Sequence, residues 1–204
     1  MTSARIPWIV GVSGASGSPY ARSVVNALLD AHTAVDLIVS RSARLTVVDE
    51  AGLGIRDGRW RDDVSAWLGR AVDEPDLVYW RPNDFAAGPS SGTYRAKGMI
   101  VVPATVAAVA GISIGLSKDL LQRAGTVTLK ERRRLIVVPR EAPYPRSLLV
   151  QMLDLHDQGA VIVPASPGFY AGATSVDQLV DFVAAKILDA AGVEHDLIER
   201  WADG

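Results

Sequence analysis

The sequence predicts an α/β fold in which helices cover a doubly wound, mostly parallel sheet. Short runs of β-branched residues alternate with longer amphipathic segments, which is the pattern of repeated strand–helix–strand units. Several of the short runs end at glycine, serine or proline, as strands do where they leave a sheet. With 204 residues and neither an internal repeat nor a linker, the chain suits one domain. We therefore expect residues 1–204 to form a single domain, in which 192–204 are a C-terminal tail.

Each predicted element follows from a local pattern. The β-branched or apolar runs predict strands over 8–12, 34–39, 77–80, 99–102, 135–138 and 160–163. Pro103 is expected to end the 99–102 strand, because proline has no N–H for the ladder. Amphipathic or small-residue segments predict helices from the first glycine turn to about residue 29, over 42–51, 146–158 and 175–191, with two short helices broken near Gly115 inside 104–125. Residues 52–75 give no clear pattern.

In a doubly wound sheet, ligands bind beyond the carboxyl ends of the strands. The segments that follow the predicted strands are 13–18, 40–41, 103–107, 140–145 and 164–172. We expect them to meet at one edge of the sheet. They contain most of the residues capable of chemistry, so this edge is the predicted functional site.

Composition excludes several classes of function. The formal net charge is −2, so the chain lacks the basic balance of a nucleic-acid-binding protein. No cysteine is present, which excludes disulfides, cysteine nucleophiles and thiolate metal sites. No stretch resembles a membrane span or a secretory signal. We expect a cytoplasmic protein with neither nucleic-acid nor membrane partners.

The sequence SGASG at 13–17 follows a strand and opens a helix. Backbone N–H groups in such a turn can bind an anion, although a tight turn without any ligand fits the sequence equally well. The dinucleotide fingerprint is absent, because serine stands at position 13 where its second glycine would be. The second strand also lacks the acidic residue at its end that would bind an adenosine ribose, since Asp36 lies at its start. Nicotinamide chemistry is therefore disfavoured.

The sequence GISIG at 111–115 matches the serine-nucleophile motif G-x-S-x-G. That motif requires a sharp strand-to-helix turn, whereas this stretch is expected inside a helix. The three histidines are His32, His156 and His195, and none is expected at the functional edge. Small residues at a helix crossing explain the motif better than a hydrolase does.

The chain resembles the flavin prenyltransferase family, the UbiX-type enzymes, almost from end to end. The markers, in order, are GVSGASGSPYA, LIVSRSA with Glu50 nearby, SSGTYRAKGMIVVPAT, LLQRAGTVTLKERRRLIVVPREAP and GAVIVPASPGFYAGATSVDQLVDFV. Each marker alone is of modest specificity, but five in order are highly specific. The resemblance implies a Rossmann-like or flavodoxin-like three-layer domain.

The resemblance also implies roles for individual residues. The expected FMN-binding residues are Gly14, Ala15, Ser16, Ser40, Thr105, Val106 and Arg123. The expected ligands of the prenyl donor's phosphate are Lys130, Arg140, Tyr170 and Lys186. Catalytic roles fall to Ser16, Glu50, Glu141 and Trp201, the last from a tail that can reach a neighbouring subunit.

The reaction that the resemblance implies joins a dimethylallyl group, from dimethylallyl monophosphate or diphosphate, to N5 and C6 of reduced FMN. No metal is required, the product serves a UbiD-type decarboxylase, and the enzyme is expected to be a homo-oligomer. Cations would neutralise the departing phosphate, and an aromatic face would stabilise the allylic cation. Three positions depart from the family's usual residues, namely Ala104, Ala108 and Phe85.

Two alternatives remain open from the sequence. An FMN-dependent cysteine-type decarboxylase would share the architecture, but it needs a histidine near the flavin. A non-catalytic flavin-binding protein would have no use for a second phosphate site. The residues also have plainer interpretations: 130–134 as a solvated helix end, Arg140 and Glu141 as a surface ion pair, and Lys186 as part of an exposed helix face.

Overall fold

The computed structural model describes residues 5–169 and 172–199. Its strands are β1 (Trp8–Val12), β2 (Val35–Val39), β3 (Leu77–Trp80), β4 (Gly98–Ala104), β5 (Arg134–Pro139) and β6 (Val161–Ile162). Its helices are α1 (Ser18–Asp30), α2 (Arg41–Ala51), α3 (Trp60–Leu68), α4 (Val106–Ser113), α5 (Leu120–Lys130), α6 (Arg146–Asp157) and α7 (Val176–Ala191). Short 3₁₀ turns lie at Asp57–Arg59 and Gly88–Ser90.

The six strands form one parallel sheet in the order β3-β2-β1-β4-β5-β6. The order reverses between β1 and β4, and this is the position at which doubly wound sheets bind ligands. The predicted α/β class and doubly wound sheet are confirmed, and the described strands are all parallel.

Side chains alternate between the two faces of the sheet, and each face has its own core. Val10 and Val12 of β1 pack with residues of α1, α3 and α7, whereas Ile9 packs on the other face with residues of α4, α5 and α6. The same alternation separates Ile100 from Val101 in β4. Helices therefore cover both faces, and the polar residues that follow the strands are left at the sheet's ends.

Two expectations about elements need correction. β4 continues through Pro103 to Ala104 rather than ending before the proline. The β4–β5 register shifts between Val101 and Ala104, so the proline lies where the ladder is already interrupted. Residues 52–75, which gave no clear pattern, contain α3, whose Trp67 and Leu68 are buried.

Asp36 and the 111–115 motif lie where the sequence predicted. Asp36 is the second residue of β2, and its buried carboxylate accepts hydrogen bonds from Arg5 Nη1 and Tyr94 Oη, both at 2.7 Å. Asp36 therefore lies at the amino end of the strand, where Arg5 and Tyr94 already bind its carboxylate.

Gly111 to Ser113 form the end of α4, so Ser113 lies in a helix instead of a strand-to-helix turn. Within the described ranges, no helix combines the length and the hydropathy of a membrane span.

Candidate active site at the carboxyl edge of the sheet

Ser13 joins the turns that follow β1 and β4. Its buried Oγ donates to the carbonyl of Pro103 at 2.8 Å and accepts from the backbone N–H of Thr105 at 2.7 Å. The backbone N–H of Ser13 donates to the same Pro103 carbonyl. The two central turns of the sheet are therefore fixed to each other at the point where the strand order reverses.

The glycine turn holds a carboxylate at the start of α1. The backbone N–H groups of Gly17 and Ser18 donate to the two oxygens of Glu50, at 2.9 and 2.8 Å. Burial raises the pKa of Glu50, but bonds from the side chains of Ser16 and Ser18 and from these two N–H groups outweigh it, so the pKa is lowered. The first N–H groups of α1 are thus used within the chain. Gly14, Ala15 and Ser16, which precede them, were predicted to bind FMN, but none of the three lines the cavity described below.

Arg140 lies beside the same turn. Its Nε donates to the carbonyl of Ser16 at 3.0 Å, and its backbone N–H donates to the carbonyl of Ala104. Burial raises the pKa of Tyr20, and the nearby charge of Arg140 opposes that rise. Glu141, the next residue, is exposed, and its carboxylate accepts from the backbone N–H of Ala142. The structure therefore brings Arg140, Ser16 and Glu50 together.

The turn after β2 begins α2 and contacts the glycine turn. The Ser40 hydroxyl caps α2 by accepting from the N–H of Ala43, and it lies 3.2 Å from the hydroxyl of Ser42. A Cβ atom on Gly14 would lie 2.5 Å from Ser42 Cβ. Only glycine permits this approach, so the spacing of the two turns depends on Gly14.

An open cavity of about 900 Å³ lies between these turns, large enough for a cofactor-sized ligand. Its lining includes two residues predicted to bind FMN, Ser40 and Thr105. The polar lining residues that the sequence did not single out as ligands are Ser13, Arg41, Ser42, Arg44, Asp57, Asn83, Lys118, Asp119 and Gln122. Arg41 directly precedes the predicted helix over 42–51 and Ser42 begins it, so a systematic search of element ends would have found these two residues.

Two other predicted flavin residues are near this cavity but do not line it. Val106 begins α4, directly after Thr105, whose hydroxyl accepts from the N–H of Ala108. Arg123 follows the lining residue Gln122 on α5, and its Nε donates to the carbonyl of Ser90 at 3.0 Å. That bond holds the Arg123 guanidinium against the 3₁₀ turn at Gly88–Ser90.

Within one chain, Lys130 is separated from Arg140. α5 begins near the carboxyl edge, where the N–H of Leu120 donates to the carbonyl of Pro82, after β3. Eleven residues of helix rise about 16 Å, so Lys130 lies near the opposite edge, just before β5 begins. There Lys130 is ion-paired with Glu131.

Lys186 lies on α7 and lines a smaller hollow of about 300 Å³ with Val163, Pro164 and Ser166, which follow β6. Its side chain is half exposed, and its ammonium lies 3.5 Å from the Asp189 carboxylate. Tyr170 and Trp201, assigned to donor binding and catalysis, lie outside the described residues. Among 5–169 and 172–199, no group of three histidine, aspartate or glutamate side chains is arranged to hold a metal ion.

None of the three histidines lines either hollow. His32 follows α1, and His156 lies in the last turn of α6. His195 follows α7, and its buried ring lies 3.2 Å from the Asp189 carboxylate. The arrangement therefore offers no histidine to a ligand in the larger cavity.

Comparison with known proteins agrees with this geometry. The flavoprotein family profile matches residues 2–188. A flavin prenyltransferase UbiX of Streptomyces coelicolor is 57% identical over 205 residues, covering 96% of this chain and 95% of that protein. A crystal structure of AnUbiX (PadA1) in complex with FMN and dimethylallyl pyrophosphate superposes with a TM-score of 0.86 at 34% identity, covering 98% of this chain and 100% of that one.

A dodecameric FMN-dependent UbiX-like decarboxylase from Escherichia coli O157:H7 is 36% identical, with a TM-score of 0.84 and coverage of 96% and 99%. These likenesses extend along nearly the whole of each chain. The chain belongs to the flavoprotein family and, within it, to the UbiX-type flavin prenyltransferases.

Proposed function

We propose that this protein is a flavin prenyltransferase that joins the dimethylallyl group of a dimethylallyl phosphate to N5 and C6 of reduced FMN. One observation carries the proposal: Arg140, a cation suited to a departing phosphate, is anchored on Ser16 in the turn that also holds the ionised Glu50. That turn contacts the rim of a cavity large enough for a flavin.

The residues of the cavity suit FMN. Gly14 allows close approach to the glycine turn, and the Ser40 and Ser42 hydroxyls lie at the N-terminus of α2. A helix N-terminus and hydroxyl groups favour a phosphate monoester. When bound, reduced FMN would supply the nucleophilic ring atoms, while the chain's own residues orient it and exclude water.

Arg140 would neutralise the phosphate as it leaves, where a fixed cation acts most strongly in a site shielded from water. Glu50 is ionised at neutral pH because its pKa is lowered. An ionised carboxylate near the allylic carbon would stabilise positive charge and could accept the proton released on ring closure. Glu141 is exposed next to Arg140 and could share that role.

We propose that a neighbouring subunit supplies Lys130. Lys130 and Arg140 lie at opposite edges of the sheet, so one chain cannot bring both to one phosphate. Homo-oligomer assembly would resolve this separation, and the E. coli relative is dodecameric. Exposed apolar side chains on α6 offer a surface for assembly: Leu149, Val150 and Leu153 are 49%, 40% and 60% exposed.

Lys186, Tyr170 and Trp201 complete the proposed donor site. Lys186 already faces a hollow at the end of β6, on the same edge of the sheet as Arg140. We further propose that residues 1–204 act as one domain with a tail from 192, that the protein works in the cytoplasm, and that its product serves a UbiD-type decarboxylase.

The test is to mix the protein anaerobically with reduced FMN and either dimethylallyl monophosphate or diphosphate. We expect release of phosphate, or of pyrophosphate, together with a changed flavin spectrum. Arg140→Ala should bind FMN but release at least tenfold less phosphate. An unchanged flavin spectrum and no released phosphate with either donor would contradict the proposed function.

A further inference from the structure

Arg44, Asp57 and Tyr79 form a closed triangle of hydrogen bonds at one wall of the flavin cavity. Arg44 Nη2 donates to the Asp57 carboxylate and, at 2.5 Å, to the Tyr79 hydroxyl. The Tyr79 hydroxyl donates to the same carboxylate at 3.0 Å. The triangle joins three separate elements: α2, the 3₁₀ turn Asp57–Arg59 and β3. Arg44 and Asp57 both line the cavity.

The protonation states of Tyr79 and Asp57 keep the Arg44 side chain in one position. Burial raises the pKa of Tyr79 to about 12, so its hydroxyl keeps its proton at physiological pH. Burial also raises the pKa of Asp57, but the bonds from Arg44 and Tyr79 outweigh it and lower that pKa. The carboxylate therefore stays ionised and keeps its hold on Nη2 of Arg44. An arginine fixed in this way loses little side-chain freedom when it binds a ligand.

The guanidinium still has donors to offer. Both of its hydrogen bonds use Nη2, so within the described residues the two N–H groups of Nη1 have no acceptor, and Nε is buried without a hydrogen-bond partner. The Arg44 side chain is 23% exposed and lines the cavity, so a ligand there can contact its exposed part, although not the buried Nε. Nη1 carries two N–H donors on a charged group, which suits an oxyanion with more than one acceptor oxygen.

The charges around the cavity favour an anion at this wall. Three cations line it: Arg41, Arg44 and Lys118. The two lining carboxylates are both engaged, Asp57 in the triangle and Asp119 as the cap of α5, where it accepts from the N–H of Gln122 at 2.9 Å. Ser40, the cap of α2, lies about one turn before Arg44, and Ser42 lies two residues before it.

We propose that Arg44 binds the phosphate monoester of the flavin, and that Asp57 and Tyr79 are positioning residues that hold Arg44 for it. This inference rests on the proposed function only in that the cavity takes a flavin. It gives the protein a means of preferring FMN over riboflavin, which has the same ring system and ribityl chain without the phosphate.

The experiment titrates the protein with FMN and, separately, with riboflavin, following flavin fluorescence, for the wild type and for Arg44→Gln, Asp57→Asn and Tyr79→Phe. We expect Arg44→Gln to weaken FMN binding by about tenfold or more while riboflavin binding changes by less than about twofold. Asp57→Asn and Tyr79→Phe should weaken FMN binding by smaller factors. Arg70→Gln is the control, because Arg70 forms an exposed pair with Asp30 away from the cavity.

Positioning is tested by adding Asp57→Asn to Arg44→Gln. If Asp57 acts through Arg44, the double variant should bind FMN no more weakly than Arg44→Gln alone. Should Arg44→Gln fail to fold, Arg44→Lys keeps the positive charge without the planar guanidinium group. We expect it to weaken FMN binding by less than Arg44→Gln would and to leave riboflavin binding unchanged. Equal weakening of FMN and riboflavin, or no weakening of either, would overturn the inference. Both titrations measure flavin binding alone, so they test the role of Arg44 even if the protein does not catalyse prenyl transfer.

Discussion

The carboxylate of Glu50, near the end of α2, lies 2.8 Å from the backbone nitrogen of Ser18 at the start of α1. One side chain thus ties the helix after β2 to the turn after β1. A negative charge at a helix N-terminus also interacts favourably with the helix dipole. The same group therefore supports the fold of the site and supplies a charge to its chemistry.

Glu50→Gln should lower the free energy of unfolding by about 1 kcal/mol at neutral pH, from the loss of charge-assisted capping bonds. The pKa of Glu50 is lower in the folded protein, so its contribution is present above its ordinary pKa of 4.5 and is lost as the pH falls through the folded value. The difference between wild type and variant should therefore shrink below about pH 4.5. Urea unfolding at pH 7 and pH 3 measures it. Glu74→Gln, in an exposed pair with Arg61, is the control, and a difference independent of pH would contradict the assignment.

Ser13→Ala should destabilise the protein by about 1–3 kcal/mol, because it leaves the part-buried N–H of Thr105 without its acceptor and removes a buried bond to the Pro103 carbonyl. Flavin binding should weaken as well, since the turns after β1 and β4 would no longer be fixed together. Thermal unfolding and flavin titration measure the two effects. Ser91→Ala removes an exposed hydroxyl pair with Thr93 and should change stability by less than about 0.5 kcal/mol. A Ser13 variant as stable as this control would rule out the bridging role.

Gly14→Ala should separate the glycine turn from α2, because the added methyl group would lie 2.5 Å from Ser42 Cβ. We expect a loss of about 1–3 kcal/mol of stability, with weaker FMN binding. Gly54→Ala is the matched control, since the new Cβ would meet its nearest atom, on Val48, at an ordinary 3.8 Å. Full FMN affinity in the Gly14 variant would show that the close approach does not matter to the site.

Mixing Lys130→Ala with Arg140→Ala tests whether neighbouring chains share the site. Each variant alone should be nearly inactive. After subunit exchange, one site in four would combine an intact Lys130 with an intact Arg140, so about a quarter of wild-type activity should return if a head-to-tail interface brings the two together. Phosphate release measures the recovery. Activity no higher than that of either variant alone would contradict a shared site.

Local patterns predicted the sheet well. β1 and β3 begin and end at the predicted residues, because a buried parallel strand appears in a sequence as a short apolar run between turn residues. α3 was missed because charged residues surround its buried Trp67 and Leu68 and obscure the helical period. Pro103 misled the prediction for β4, since only the pairing with β5 shows that the ladder is interrupted there.

The site was predictable where its residues follow strands. Ser40 and Thr105 lie in the segments after β2 and β4 that were expected at the functional edge, and the family resemblance assigned both of them to FMN. The Arg44–Asp57–Tyr79 triangle could not be found, because its members are 13 and 22 residues apart along the chain and meet only through the packing of three elements. The separation of Lys130 from Arg140 could have been predicted, because Lys130 precedes β5 and Arg140 follows it, and the two ends of one strand lie at opposite edges of the sheet.

The shared carbonyl of Pro103 has a consequence for ligand entry. The carbonyl oxygen of Pro103 accepts hydrogen bonds from both the backbone N–H and the hydroxyl of Ser13. These two bonds fix the distance between the turns that follow β1 and β4. The cavity wall formed by these turns is therefore preorganised. Binding a flavin would cost little conformational entropy, because the turns are already ordered. The cavity should accordingly keep the same dimensions before and after it is filled.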